Sequence, residues 1–176
     1  MHAESVNYID KIKGMLLNHI NEYPGIRYRE LLRLTGHSNG VLTYHLSILE
    51  KSNKIRVDRR KNRITRYYLS SVTSNESDVL GYVRHNIARQ IIIFLLDHDL
   101  CTFNEIVDHT QKAPSTISWH LKRLRDSGLV SILFGNDYQL YRVINSTVVR
   151  AVIYKYKESF VDSTVNNFTE MMEELL

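Results

Sequence analysis

The sequence predicts an α+β, mainly helical protein made of two tandem copies of one unit, each three helices and a β-hairpin, followed by a long C-terminal helix. Three observations carry this. Shifting the 176-residue chain against itself by 75 positions lays Leu16-Leu17 on Ile91-Ile92, Ile20 on Leu95, Ile26 on Cys101 and Tyr28 on Phe103. The register continues without a gap through Glu30-Leu31-Leu32 on Glu105-Ile106-Val107, Tyr44-His45-Leu46 on Trp119-His120-Leu121, Leu49 on Leu124 and Ile55 on Val130. Self-similarity of that length marks one structural unit used twice. Apolar residues at helical spacing then open each copy, and strand-like segments around polar turns close it.

Taken in order, Ile9, Ile12, Leu16 and Ile20 predict the first helix of the first copy, and Leu80, Val83, Ile87, Ile91 and Leu95 that of the second. Short helices follow at Arg29 to Thr35, closed by Gly36, and at Asn104 to Thr110. The third helices start at a cap from Ser38 or Asn39 and at Pro114, which suits a first turn whose N–H is unpaired anyway. Asn53 and Gly128 share the aligned position after them, and both tolerate a left-handed helix terminator. Hairpins are expected from Lys54 to Asp58 with Ile64 to Ser70, and from Leu129 to Phe134 with Tyr138 to Ile144. The units are bounded at 1–70 and 78–145, with 71–77 as a polar linker. From Ser146 to 176, Val149, Val152, Ile153, Tyr156, Phe160, Phe168, Met172 and Leu175 predict one long helix that needs a partner for its apolar stripe.

The chain is 43% hydrophobic and 24% charged, enough apolar residue for a packed core and against disorder. Ile91 to Leu96 is far too short to cross a bilayer, and residues 1–7 lack a signal-peptide core, so cytoplasmic residence is expected. The net charge of +4 is unevenly placed: residues 1–75 hold 13 Lys and Arg against 6 Asp and Glu, whereas 76–176 hold 10 against 13. That asymmetry suits a protein that grips a polyanion by one end. His98, Asp99, Cys101, Asp108 and His109 lie close in sequence, but a lone thiol aligned with Ile26 argues for an ordinary apolar position, and no metal or cofactor is expected. His45 and His120 are read as half-buried, satisfied histidines. No nucleophile–base pattern, Gly-rich phosphate loop or HExxH occurs, so no enzyme is expected.

Ser115-Thr116-Ile117-Ser118-Trp119-His120-Leu121-Lys122-Arg123-Leu124, with Asp126-Ser127-Gly128-Leu129-Val130 after it, resembles the recognition helix and following strand of ArsR/MarR-type bacterial and archaeal regulators. Asn39 to Glu50 resembles the same helix in archaeal winged-helix regulators of that superfamily. The resemblance covers about residues 8 to 145 and implies two winged helix-turn-helix units acting on DNA.

The residues agree with that implication. With Ile117, Leu121 and Leu124 buried, Ser115, Thr116, Ser118, Trp119, Lys122 and Arg123 face outward or nearly so; Asn39, Gly40, Thr43, Tyr44 and Ser47 are their counterparts. Such side chains bond base edges or phosphates, although Tyr44 and Trp119 could equally pack between helices. The first hairpin carries Arg56, Arg59, Arg60, Lys61, Arg63 and Arg66 against Asp58 alone, a cationic wing suited to phosphates or a narrow minor groove. The second has Arg142 against Asp137. The expected function is sequence-specific binding of double-stranded DNA to control transcription, repression ahead of activation, by a homodimer joined through the last helix, the alternative for that helix being to fold back along the first helix of its own chain. The alternative is a winged-helix scaffold for protein partners.

Overall fold

The computed structural model describes residues 2–59, 64–135 and 138–160, with side chains from Ile9 onward. The chain divides into two compact units, 1–77 and 78–176. The first contains α1 (His2–Glu22), β1 (Ile26–Arg27), α2 (Tyr28–Thr35), α3 (Asn39–Lys51), β2 (Ile55–Asp58) and β3 (Arg66–Leu69). α1 lays Ile12, Leu16 and Ile20 into a core completed by Leu31 from α2, Leu42, Leu46 and Leu49 from α3, and Ile26, Ile55 and Tyr67 from the strands. Each such side chain, taken fully out of water, contributes about 1.5–3 kcal/mol. That burial fixes which face of α3 is left outside.

Local chemistry sets the ends of these helices. Gly36 closes α2 at φ 64°, its N–H donating to the Leu32 carbonyl. Ser38 caps α3, its hydroxyl oxygen accepting from the Val41 N–H at 3.5 Å. Asn53 and Gly128 both hold positive φ, 55° and 74°, as their shared place in the repeat requires. Strand β3 runs antiparallel between β1 and β2, with Ile26 opposite Tyr67 and Ile55 opposite Leu69. The two-residue β1 was not expected, because so short a segment shows no alternation to read.

α4 (Ser74–Val83) begins inside the segment expected to be a linker. The Thr73 N–H and hydroxyl donate to Glu76 Oε2 at 2.8 and 2.9 Å, and the Glu76 N–H to Thr73 Oγ1 at 3.3 Å. This is a capping box, and its Thr-x-x-Glu spacing nucleates helix where polar composition suggested loop.

The second unit continues with α5 (Asn86–His98), β4 (Cys101–Thr102), α6 (Phe103–Thr110), α7 (Pro114–Asp126), β5 (Val130–Phe134), β6 (Gln139–Val143) and α8 (Ser146–Lys155). The single helix expected through Leu80 and Leu95 is therefore two. The chain turns at His85, whose φ −87° and ψ 121° are extended. Arg89 Nη1 donates to the Val83 carbonyl at 3.0 Å, satisfying an acceptor that a continuous helix would have bonded internally. Leu80, Val83, Ile91 and Leu95 are nevertheless all buried, which is why the apolar period runs across the break. Strand β6 lies between β4 and β5, and Cys101 pairs with Tyr141 as Ile26 does with Tyr67.

The last helix also departs from expectation. α8 stops at Lys155, and residues 158–160 resume helix after a turn. Val149, Val152 and Phe160 are buried within their own unit, with the Arg84 and Arg89 guanidinium groups each 5.4 Å from the Phe160 ring. Much of the stripe thus has its partner already. Phe168, Met172 and Leu175 lie outside the described residues.

Candidate nucleic-acid interface

The faces of α3 and α7 turned away from their cores carry the residues expected to meet DNA. Asn39, Gly40, Thr43 and Tyr44 are exposed on α3, with Ser47 half-buried at the edge. Ser115, Ser118, Trp119 and Lys122 are exposed on α7, with Thr116 and Arg123 half-buried. Tyr44 is 59% and Trp119 51% exposed, which removes the packing alternative for both. The two occupy one position of the repeat, and each stands edge-on over the histidine that follows it, ring centroids 5.2 Å apart for Tyr44–His45 and 4.7 Å for Trp119–His120. The Arg123 guanidinium lies 4.4 Å from the Trp119 ring, so the aromatic and its cation present one surface.

The histidines are buried more deeply than expected, at 4% and 5% exposure. His45 Nδ1 has no hydrogen-bond partner among the described residues, so the expectation of a satisfied residue fails there. Burial, then the nearby Lys13 and His37, lowers its pKa. Burial pushes His120 down to about 4, with His85 and Arg123 adding to the shift. Both rings lie beneath the exposed aromatics.

On α3 the outward polar residues are held by a residue the sequence reading passed over. The Tyr28 hydroxyl, on the first turn of α2, lies 3.1 Å from both the backbone carbonyl oxygen and Oδ1 of Asn39 and 3.0 Å from Thr43 Oγ1. The signal available was its repeat partner Phe103, which has the ring without the hydroxyl.

The wing resolves into two kinds of arginine. Arg56 donates to Ser74 Oγ at 3.1 Å and to the Val72 and Thr73 carbonyls at 3.1 and 3.0 Å, and lies 5.5 Å from the Tyr68 ring. Arg66 donates to the Gly25 carbonyl at 2.7 Å. These two guanidinium groups brace the unit. Arg59 instead sits at the outer end of β2 in a forked pair with Glu50, 2.6 and 2.7 Å, which holds the Glu50 carboxyl below its usual pKa and raises that of Arg59. Arg60, Lys61 and Arg63 lie outside the described residues.

The second hairpin ends differently. Phe134, at the repeat position of Arg59, is 77% exposed, beside Tyr138 at 59% and Leu133 at 38%. Arg142 donates to Ser131 Oγ at 3.3 Å along the hairpin. Cys101 is buried, its thiol pKa raised by burial and by Glu105 and Asp99, in the same place as Ile26. His98 and His109 flank Phe94 at 4.3 and 4.2 Å, and no group of three or more metal-ligating side chains occurs among the described residues. No described helix is long and apolar enough to cross a membrane.

Comparison with known proteins follows the repeat. Residues 9–56 match the winged helix-turn-helix DNA-binding family model, and residues 87–131 that of the bacterial regulatory protein, arsR family. Each unit is a winged helix-turn-helix module. The two family models thus match the two copies of the repeat, one each. An uncharacterized HTH-type transcriptional regulator from Methanocaldococcus jannaschii is 28% identical over 153 residues, 82% of this chain and 38% of that relative. The chain thus spans under two fifths of the relative's length. Among solved structures, the transcriptional repressor BigR from Xylella fastidiosa is 19% identical, with TM-score 0.42, covering 47% of this chain and 84% of its own. HlyU from Vibrio cholerae is 24% identical with TM-score 0.42, covering 48% and 91%.

Proposed function

We propose that this chain binds duplex DNA sequence-specifically and regulates transcription, the first unit being the principal reader. The observation that carries this is the composition of the outward face of α3. Asn39, Gly40, Thr43 and Tyr44 are exposed while Leu42, Leu46 and Leu49 hold the opposite side in the core. Small and hydrogen-bonding groups there fit a helix lying in a major groove. Arg59 at the outer end of β2, with Arg60, Lys61 and Arg63 next to it in sequence, supplies charge for phosphates. Repression is placed ahead of activation because occupancy of a site is enough for it. A homodimer in the cytoplasm is the proposed working form.

The exposed Leu133, Phe134 and Tyr138 favour a second reading for the second unit alone, that its wing docks a protein partner. A gel-shift series with duplex DNA and duplex RNA of equal length tests groove reading. DNA is expected to bind the more tightly, because the A-form major groove is too narrow for a helix, and affinity should fall steeply as salt rises. Equal affinity for both duplexes at matched salt overturns groove reading.

A further inference from the structure

We propose that Tyr28 is a positioning residue that sets base preference: it holds Asn39 as a hydrogen-bond donor, so that α3 selects guanine over adenine at the base pair facing Asn39. The inference rests on the DNA-binding reading above. A phenol has one proton and three neighbours here. Directed at Asn39, it meets the backbone oxygen and Oδ1, both at 3.1 Å, and the Thr43 hydroxyl at 3.0 Å then donates to the phenol oxygen. That arrangement satisfies every contact with the protons available. Asn39 Oδ1 is turned to Tyr28, and the Nδ2 hydrogens are left for a partner.

Asn39 is the first residue of α3, where the residues of a reading helix meet base edges. An asparagine free to rotate pairs with adenine through both ends of its amide, accepting from N6 and donating to N7. With Oδ1 held by Tyr28, only the donating end is presented. Guanine offers acceptors alone, N7 and O6, along that edge. Thr43, one turn further on, has its proton engaged by Tyr28 and presents oxygen lone pairs.

The internal repeat supplies a control. At the equivalent positions of the second unit stand Phe103, Pro114 and Ser118, so the phenol hydroxyl and the amide it holds are lost together, while Phe103 still opens α6. Phenylalanine is therefore compatible with this place in the fold.

The test is selection of bound duplexes from a random-sequence pool by the full chain, Tyr28→Phe and Asn39→Ala, with melting temperatures measured alongside. The full chain should prefer guanine to adenine about tenfold at one position, the size of one good base contact. Asn39→Ala identifies that position by abolishing the preference there. In Tyr28→Phe the released amide should shift the preference from guanine toward adenine at the same position only, with the rest of the profile and the melting temperature little changed. A Tyr28→Phe profile identical to that of the full chain overturns the proposal. So does uniform loss of preference with a lowered melting temperature, the mark of a merely structural role. Absence of any sequence selection by the unaltered chain overturns instead the DNA-reading function beneath it.

Discussion

Gly25 and Gly36 both hold the left-handed region, at φ 85° and 64°, yet their surroundings are opposite. A β-carbon at Gly36 meets nothing within 4 Å among the described residues, whereas one at Gly25 comes within 3.0 Å of the Tyr68 ring. Tyr68 is fully buried, donates its hydroxyl to the Ser77 carbonyl and carries Arg56 on its ring, so it has nowhere to move. Gly36→Ala should cost about 1 kcal/mol, the strain of the backbone alone. Gly25→Ala adds overpacking against a fixed ring and should cost about 2–4 kcal/mol. Urea unfolding of both variants checks the ordering; equal costs would mean that the Tyr68 ring gives way. Gly36 was legible in the sequence as a helix terminator. Gly25 was not, because the ring that makes it obligatory lies 43 positions further along the chain. Tyr28 escaped for the same reason, its partners Asn39 and Thr43 being brought to it only by the helix-turn-helix fold.

At the scale of elements, the two hairpins diverge most where the repeat is otherwise closest. Arg59 and Phe134 are equivalent positions, one in a forked ion pair with Glu50 and the other 77% exposed. Composition identified the cationic wing, but it counted Arg56 and Arg66 with the rest, although both are engaged by backbone carbonyls inside the unit. Hydrogen-bond partners distant in sequence decide which arginines face solvent, and a charge count does not see them. The third helices and hairpin strands were read nearly to the residue, because burial stamps a period on them. The turn at His85 left no such stamp, since both helices send leucine, isoleucine and valine into one core. Glu50 brings a negative charge to the wing and, on the proposed reading, competes with phosphate for Arg59. Glu50→Gln should therefore tighten binding to any duplex by about two- to fivefold and steepen its salt dependence, the pair being exposed and each phosphate contact releasing counterion. Fluorescence anisotropy over a salt series measures both. Unchanged or weaker binding would show that Arg59 works only within the wing.

For the whole molecule, the apolar stripe after residue 145 raises the question of assembly, and the fold changes how it must be tested. Cutting the chain after Ser146 would remove Val149, Val152 and Phe160, which are 2%, 4% and 5% exposed within the second unit. Each of these buried side chains supports folding by about 1.5–3 kcal/mol, so loss of assembly in that variant could not be told from loss of structure. Ending the chain at Phe160 keeps the bonds that tie this segment to its own unit, including Arg84 Nη1 to the Ser159 carbonyl at 2.9 Å. It removes Phe168, Met171, Met172, Leu175 and Leu176, an apolar set outside the described residues. If those side chains join two copies, light scattering should give twice the chain mass for the full chain and the single mass for residues 1–160. The shortened chain should keep a cooperative unfolding transition. If such a dimer places two wings on one duplex, separating the copies should also weaken DNA binding by about 10²-fold or more through lost effective concentration, even with every contact in each copy intact. Equal masses for the two chains, with unfolding still cooperative, would exclude the C-terminal segment as the joint.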